Sequence, residues 1–117
     1  MPNALCHFEL MTNDPGKAKG FYERVFNWKF DEKSMPGYIL INTGAEPSGG
    51  MFGKPNGAQD VCHNIYFQVN DIEATLKNVT DAGGKVLVPK TPIPGVGHFA
   101  MFADPDGLAV GIMKSTG

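Results

Sequence analysis

Two helix starts of the same construction, almost half a chain apart, constrain this sequence more than any other feature. In TNDPGKAKGFYERVFNW, Asn13 or Asp14 offers the side-chain acceptor that the first N–H groups of a helix need. Pro15 suits the first turn, where its missing N–H would have no intrahelical partner. Ala18, Phe21, Tyr22, Val25 and Phe26 then recur at helical spacing. In VNDIEATLKNVTDAGGKV, Asp71 repeats the cap, Ile72, Leu76 and Val79 form the buried stripe, and Gly83-Gly84 supplies the left-handed stop. Each helix follows a strand and precedes several more. LCHFELMT leads to WKFDEK, YILIN and GGMF; HNIYFQV leads to KVLVPK, HFAMFA and LAVGIM. The order is βαβββ, twice, so each half is one supersecondary unit of an α+β fold. The Gly/Pro-rich segment GAEPSGGMFGKPNGAQD reads as a short strand plus the connector between halves. One pseudo-symmetric domain over residues 1–117 is expected, with module one at about 4–54 and module two at about 62–114.

Composition narrows the function classes. At 117 residues the chain buries a real core without staples, and its net charge of -2 gives no basic stripe for a phosphate backbone, so no nucleic-acid partner is expected. MPNALCHFEL has no charged segment leading into a long apolar one, and no run of about 18 apolar residues occurs that would span a bilayer. No membrane partner and a cytoplasmic location are expected. Cys6 and Cys62 are too few for a disulfide framework and match no zinc ribbon, so reduced thiols are the expectation. There is no GxSxG elbow, no phosphate-cradling glycine loop and no GxGxxG. Each cysteine is followed directly by a histidine, and neighbours in a strand point to opposite faces, so no Cys–His nucleophile pair forms that way.

In NDPGKAKGFYERVFNW, VNDIEATLKNVTDAGGKV and ADPDGLAVGIM the chain resembles the vicinal oxygen chelate superfamily, which includes glyoxalase I, bleomycin-resistance proteins and extradiol dioxygenases. The likeness covers nearly the whole chain. It implies two βαβββ modules forming curled mixed sheets around a shared cavity, with the helices outside. Within that fold, strand alternation directs His7, Glu9 and Met11 to the cavity and Phe8 and Leu10 to the helix. In the fifth strand it directs Asn64, Tyr66 and Gln68 inward and Ile65, Phe67 and Val69 to the helix. Such a polar face either lines a ligand cavity, the favoured reading here, or is simply solvated. His98 follows PIPGVG, which is either a lid at the cavity mouth or a plain hairpin. Trp28 and Phe30 are expected in the core, with most of Met11, Met51, Met101 and Met113 filling its gaps.

The superfamily's metal enzymes hold their ion with a His or Glu on the first strand of each module and a Glu near the end of each last strand. Here His7 stands seven residues before Asp14, which fits that pattern, and Asn64 takes the same place before Asp71. The last strand of module one offers Gly49, Gly50 or Met51, and that of module two offers Gly111. One of four positions carries a donor. A β-bulge aligning CHFEL with CHNIY would turn His63 inward, and His7, Glu9 and His98 would make a non-standard set. The expectation is therefore a small-molecule-binding protein without the usual metal centre, hence no cofactor, with His7, Glu9, Met11, Asn64, Tyr66, Gln68 and His98 as ligand-site residues. The alternatives are a metal-dependent lyase, isomerase or dioxygenase with a non-standard ligand set including His7, and a metal-free enzyme with Glu9 or His7 as general base. The resemblance also implies a homodimer.

Overall fold

The structure, a computed structural model, describes residues 3–53 and 62–115. Of the expected strand-plus-connector segment, residues 54–60 lie outside them. The elements run β1 (Leu5–Thr12), α1 (Pro15–Phe26), β2 (Lys29–Asp31), β3 (Ile39–Asn42), β4 (Gly49–Gly53), β5 (Cys62–Gln68), α2 (Ile72–Asp81), β6 (Lys85–Ile93), β7 (Gly97–Ala103) and β8 (Ala109–Ser115). This is βαβββ twice, the α+β order expected. The chain divides into two compact units, residues 7–64 and residues 65–117 joined by the first six.

In the first unit the strand order is β2-β3-β4-β1, with β1 and β4 parallel and the other pairs antiparallel. Asp14 is the residue that caps α1, accepting from the Lys17 N–H at 3.1 Å, and Asn27 closes the helix in the left-handed conformation at φ 58. Ile39, Ile41 and Met51 are buried, with Phe8, Leu10, Ala18, Trp28 and Phe30 packed around them. Trp28 and Phe30 are thus core residues, as expected. The helix stripe is different: Phe21, Val25 and Phe26 are 58%, 51% and 55% exposed. Ala18 meets the core, and the rings of Tyr22 and Phe26 lie 5.3 and 5.0 Å from that of Trp28, so these three carry the packing. A stripe of five apolar residues is wider than the line along which a helix touches a sheet, and its outer members stay in solvent.

In the second unit the order is β5-β8-β7-β6, with β5 and β8 parallel and the rest antiparallel. Asp71 accepts from the Ala74 N–H at 3.0 Å. The helix stops where Gly83 turns to φ +96 and the Gly84 N–H donates to the Val79 carbonyl at 2.8 Å. Val69, Ile72, Ala100 and Ile112 form the core, covered by Leu76 and Phe102. Burying a residue such as Ile72, 2% exposed, stabilises the unit by about 1.5–3 kcal/mol. The outer strand β6 carries Pro89 and Pro92 and two register shifts, which an edge strand tolerates because its outer N–H groups pair with nothing. Residues before β1 extend this unit: the Gln68 N–H donates to the Ala4 carbonyl at 2.8 Å, and Asn3 Nδ2 donates to the Gln68 carbonyl at 2.9 Å. No helix among the described residues is long and apolar enough to cross a membrane.

Candidate functional site

Strand β1 sorts its side chains as alternation requires. Phe8 and Leu10 join the core, which leaves His7, Glu9 and Met11 on the opposite face of the first unit's sheet. On the neighbouring β4, Gly50 lies opposite Glu9 and Phe52 opposite Met11. Tyr38, just before β3, lays its ring in the space that Gly50 leaves: a Cβ there would stand 2.0 Å from the ring and its hydroxyl. The ring stacks on Phe52 at 5.9 Å and on His7 at 6.4 Å. Its oxygen lies 2.8 Å from His7 Nε2 and donates to Glu9 Oε2 at 2.8 Å, while Asn64 Nδ2 donates to Glu9 Oε1 at 3.4 Å. The result is one chain of groups, His7, Tyr38, Glu9 and Asn64.

Three of these four are anticipated from strand parity; Tyr38 is not. The signal available for it is the Gly-Gly of β4, since glycine within a strand marks a place where something approaches closely. Asn64, not His63, reaches Glu9, and His63 is exposed. Parity without a bulge therefore accounts for the start of β5.

Burial lowers the His7 pKa below its ordinary value, with the charge of Glu9 and a hydrogen bond to the Ser48 backbone acting against that shift. His7 also borders a cavity of about 770 Å³ within the first unit, walled by Phe30, Leu40 and Ile41 and edged by Lys29, Asn42 and Ser48. That volume suits a drug-sized molecule, and the walls combine apolar area with a few polar groups.

The other expected residues behave differently. Tyr66 is 5% exposed and lies opposite Gly111, whose Cβ, if present, would stand 2.3 Å from its ring. Its ring meets Phe99 edge-on at 6.3 Å, and its hydroxyl is 4.0 Å from the Met101 sulfur. Gln68 pairs in register with Met113. His98 lines a second-unit cavity of about 440 Å³ at the start of α2, together with Asp71, Glu73, Lys90 and Lys114. There Lys90 pairs with Glu73 at 3.5 Å. The Cys6 thiol donates to the Tyr66 carbonyl at 3.5 Å, and burial pushes its pKa up, away from nucleophilic use.

The strand registers identify which residues occupy the superfamily's metal-ligand places. Gly50 sits against β1 as Gly111 sits against β5, so Gly50 is the counterpart among the three candidates on β4. Both are glycines, and each has a tyrosine ring in the space a longer side chain would need. Asn64 donates to Glu9, and His7 Nε2 faces the Tyr38 hydroxyl. This donor set does not fit a divalent cation held in the superfamily's pattern. Among the described residues no three His, Cys, Asp or Glu side chains gather as such a site.

The chain is 31% identical over 114 residues to CFP32 of Mycobacterium tuberculosis, a protein named as a glyoxylase, covering 92% of this chain and 44% of that protein. It is 28% identical over 130 residues to the anthracycline biosynthesis protein DauV of a Streptomyces species, covering 97% of this chain and 47% of that one. The chain thus spans less than half the length of these two relatives. Among solved structures, methylmalonyl-CoA epimerase from Mycobacterium tuberculosis superposes with a TM-score of 0.77 at 11% identity, over 97% of this chain and 88% of the epimerase, which is a likeness of fold. The family model for the glyoxalase/bleomycin resistance protein/dioxygenase superfamily matches residues 4–112, nearly all of the paired βαβββ units; this chain belongs to that superfamily.

Proposed function

We propose that this chain binds a small organic molecule in the cavity beside His7, without the superfamily's usual metal centre. One observation carries the reading: His7, which ends a hydrogen-bonded chain through Tyr38 to Glu9, borders a cavity of about 770 Å³ whose walls are partly apolar. The Streptomyces relative is named for anthracycline biosynthesis, and anthracyclines are hydroxylated aromatic compounds. A ligand of that general kind would place its rings against Leu40 and a polar group toward His7. Asn64 supports the site through Glu9. Tyr66 and Gln68 belong to the second unit, so the reading gives them no direct role; Met11 and His98 are given none either.

Thermal shift against a panel of hydroxylated aromatics tests binding, since a ligand at 100 times its Kd stabilises by about 2.7 kcal/mol. The shift is expected in the parent and absent in His7→Gln. Metal analysis of protein purified without chelators tests the second half. Near-stoichiometric divalent metal, lost in His7→Ala, would replace this reading with a metal-dependent lyase, isomerase or dioxygenase. Turnover of the methylglyoxal–glutathione adduct with added nickel or zinc would do the same.

We further propose that the chain pairs with a second copy through α1. Phe21, Val25 and Phe26 are each more than half exposed on that helix, and the two relatives are more than twice as long as this chain. Sedimentation at micromolar concentration is expected to give a dimer that Phe26→Asp dissociates; a monomeric parent would end the proposal.

A further inference from the structure

Strands β2 and β3 sort the residues at the rim of the His7 cavity by face. Phe30 and Ile41 turn to the core, so their neighbours Lys29, Asp31, Leu40 and Asn42 stand on the opposite face. There Lys29 lies directly across from Asn42, and Asp31 directly across from Leu40. All four border the cavity. The acceptors among them are engaged. Asp31 Oδ1 accepts from the N–H groups of Lys33 and Ser34 at 2.9 and 3.1 Å, and its Oδ2 accepts from the Ser34 hydroxyl. The Ser34 hydroxyl, with those two N–H groups, holds the Asp31 carboxyl below the usual carboxylate range. Asn42 Oδ1 accepts from the Gly44 N–H at 2.8 Å, which leaves the amide's N–H groups as its outward donors. The donors are uncommitted: the Lys29 ammonium and the Asn42 side-chain N–H groups meet no acceptor among the described residues.

We infer that Lys29 and Asn42 form a carboxylate subsite of the His7 cavity, and that its ligand is a small aromatic acid carrying one negative charge. Residues directly across antiparallel strands hold their Cβ atoms about 5 Å apart, so the ammonium and the amide can each take one oxygen of the same carboxylate. Leu40 stands two residues before Asn42, about 7 Å along the same face, which is the span of a benzene ring bearing that group. The ring packs on Leu40 while the carboxylate lies between Lys29 and Asn42. Charge sets the limit of one: Asp31 and the exposed Glu46 also border the cavity, and a dianion such as a phosphate monoester would face both. A cationic head group would meet Lys29 with the acceptors of Asp31 and Asn42 already taken. The assignment rests on the reading of this cavity as the ligand site.

The test compares 4-hydroxybenzoate with its uncharged methyl ester and with 4-hydroxybenzylamine, cationic at neutral pH, by NMR titration of the isotope-labelled protein. The acid is expected to shift the amide signals of Leu40, Asn42 and Gly44. It should bind about fivefold more tightly than the ester, the size of an exposed charge pair plus one amide hydrogen bond. Lys29→Met is expected to remove that advantage and to leave ester binding unchanged. Asn42→Asp keeps an acceptor for the Gly44 N–H while exchanging the donor for a charge, and is expected to turn the preference toward the amine. Glu46→Gln is expected to tighten acid binding. Equal binding of acid and ester by the parent, or a preference for the acid that survives Lys29→Met, would overturn the subsite while leaving the cavity as a ligand site. No shift at these residues with any of the three compounds would remove the cavity reading, and the subsite with it.

Discussion

Each unit sets a tyrosine ring over a strand glycine, yet the two arrangements serve different ends. In the second unit Tyr66 is 5% exposed, and its neighbours are Phe99 and the Met101 sulfur. Gly111 there is a packing device: its missing side chain lets an aromatic ring close the sheet face. In the first unit Tyr38 covers Gly50 with the far end of its ring, and its hydroxyl joins His7 to Glu9. Gly50 there makes room for a polar connection. The difference teaches that one local geometry, glycine under tyrosine, packs an apolar face in one unit and joins two polar side chains in the other, and that the partners of the hydroxyl decide which.

Substitution of the glycines separates the two most strongly. Gly111→Glu is expected to destabilise by at least about 3 kcal/mol in denaturant unfolding, because the new atoms overlap the buried body of the Tyr66 ring and bring an unpaired carboxylate with them. Gly50→Ala is expected to cost less, about 1 kcal/mol, since the atoms it meets are the tip of a side chain that can swing. It should nevertheless abolish ligand shifts at His7. Equal costs at the two glycines would undo the contrast.

Removal of one hydroxyl at a time sharpens the same point. Tyr38→Phe is expected to destabilise by about 0.5–1.5 kcal/mol and to eliminate binding of hydroxylated aromatics, whereas Tyr66→Phe should leave binding intact. Calorimetric titration of both variants distinguishes them.

The smallest effect is in pH dependence. The folded His7 pKa is depressed, so the native state binds this proton less readily than the unfolded chain does. The stability concerned is fully present above the ordinary histidine value, about 6.5, and is lost as the pH falls through the lower folded value. The parent's Tm should fall more than that of His7→Gln over this window; parallel curves would show that burial of the ring carries no such cost.

Much of the fold is legible in the sequence because its signals are local. Asp14 and Asp71 cap the two helices, Gly83 stops the second, and alternation in LCHFELMT separates Phe8 and Leu10 from His7 and Glu9 without reference to any distant residue. The same alternation puts Asn64 on the side from which its amide reaches Glu9. Tyr38 was missed because it precedes its strand, where alternation has nothing to say, and because its partners lie on β1. The exposure of Phe21, Val25 and Phe26 was missed because periodicity reports that a face is apolar and not how much of it a sheet will cover.

What the sequence determined by itself is the repeated βαβββ order and the lack of a carboxylate at Gly111, since capping, turn chemistry and residue identity are properties of short segments. Only the tertiary structure decided that Gly50 is the counterpart of Gly111, that a tyrosine fills each vacancy, and that one of those tyrosines ties a histidine to a glutamate. Register between strands and the meeting of residues far apart in the chain depend on how whole elements pack, and no short segment carries that information.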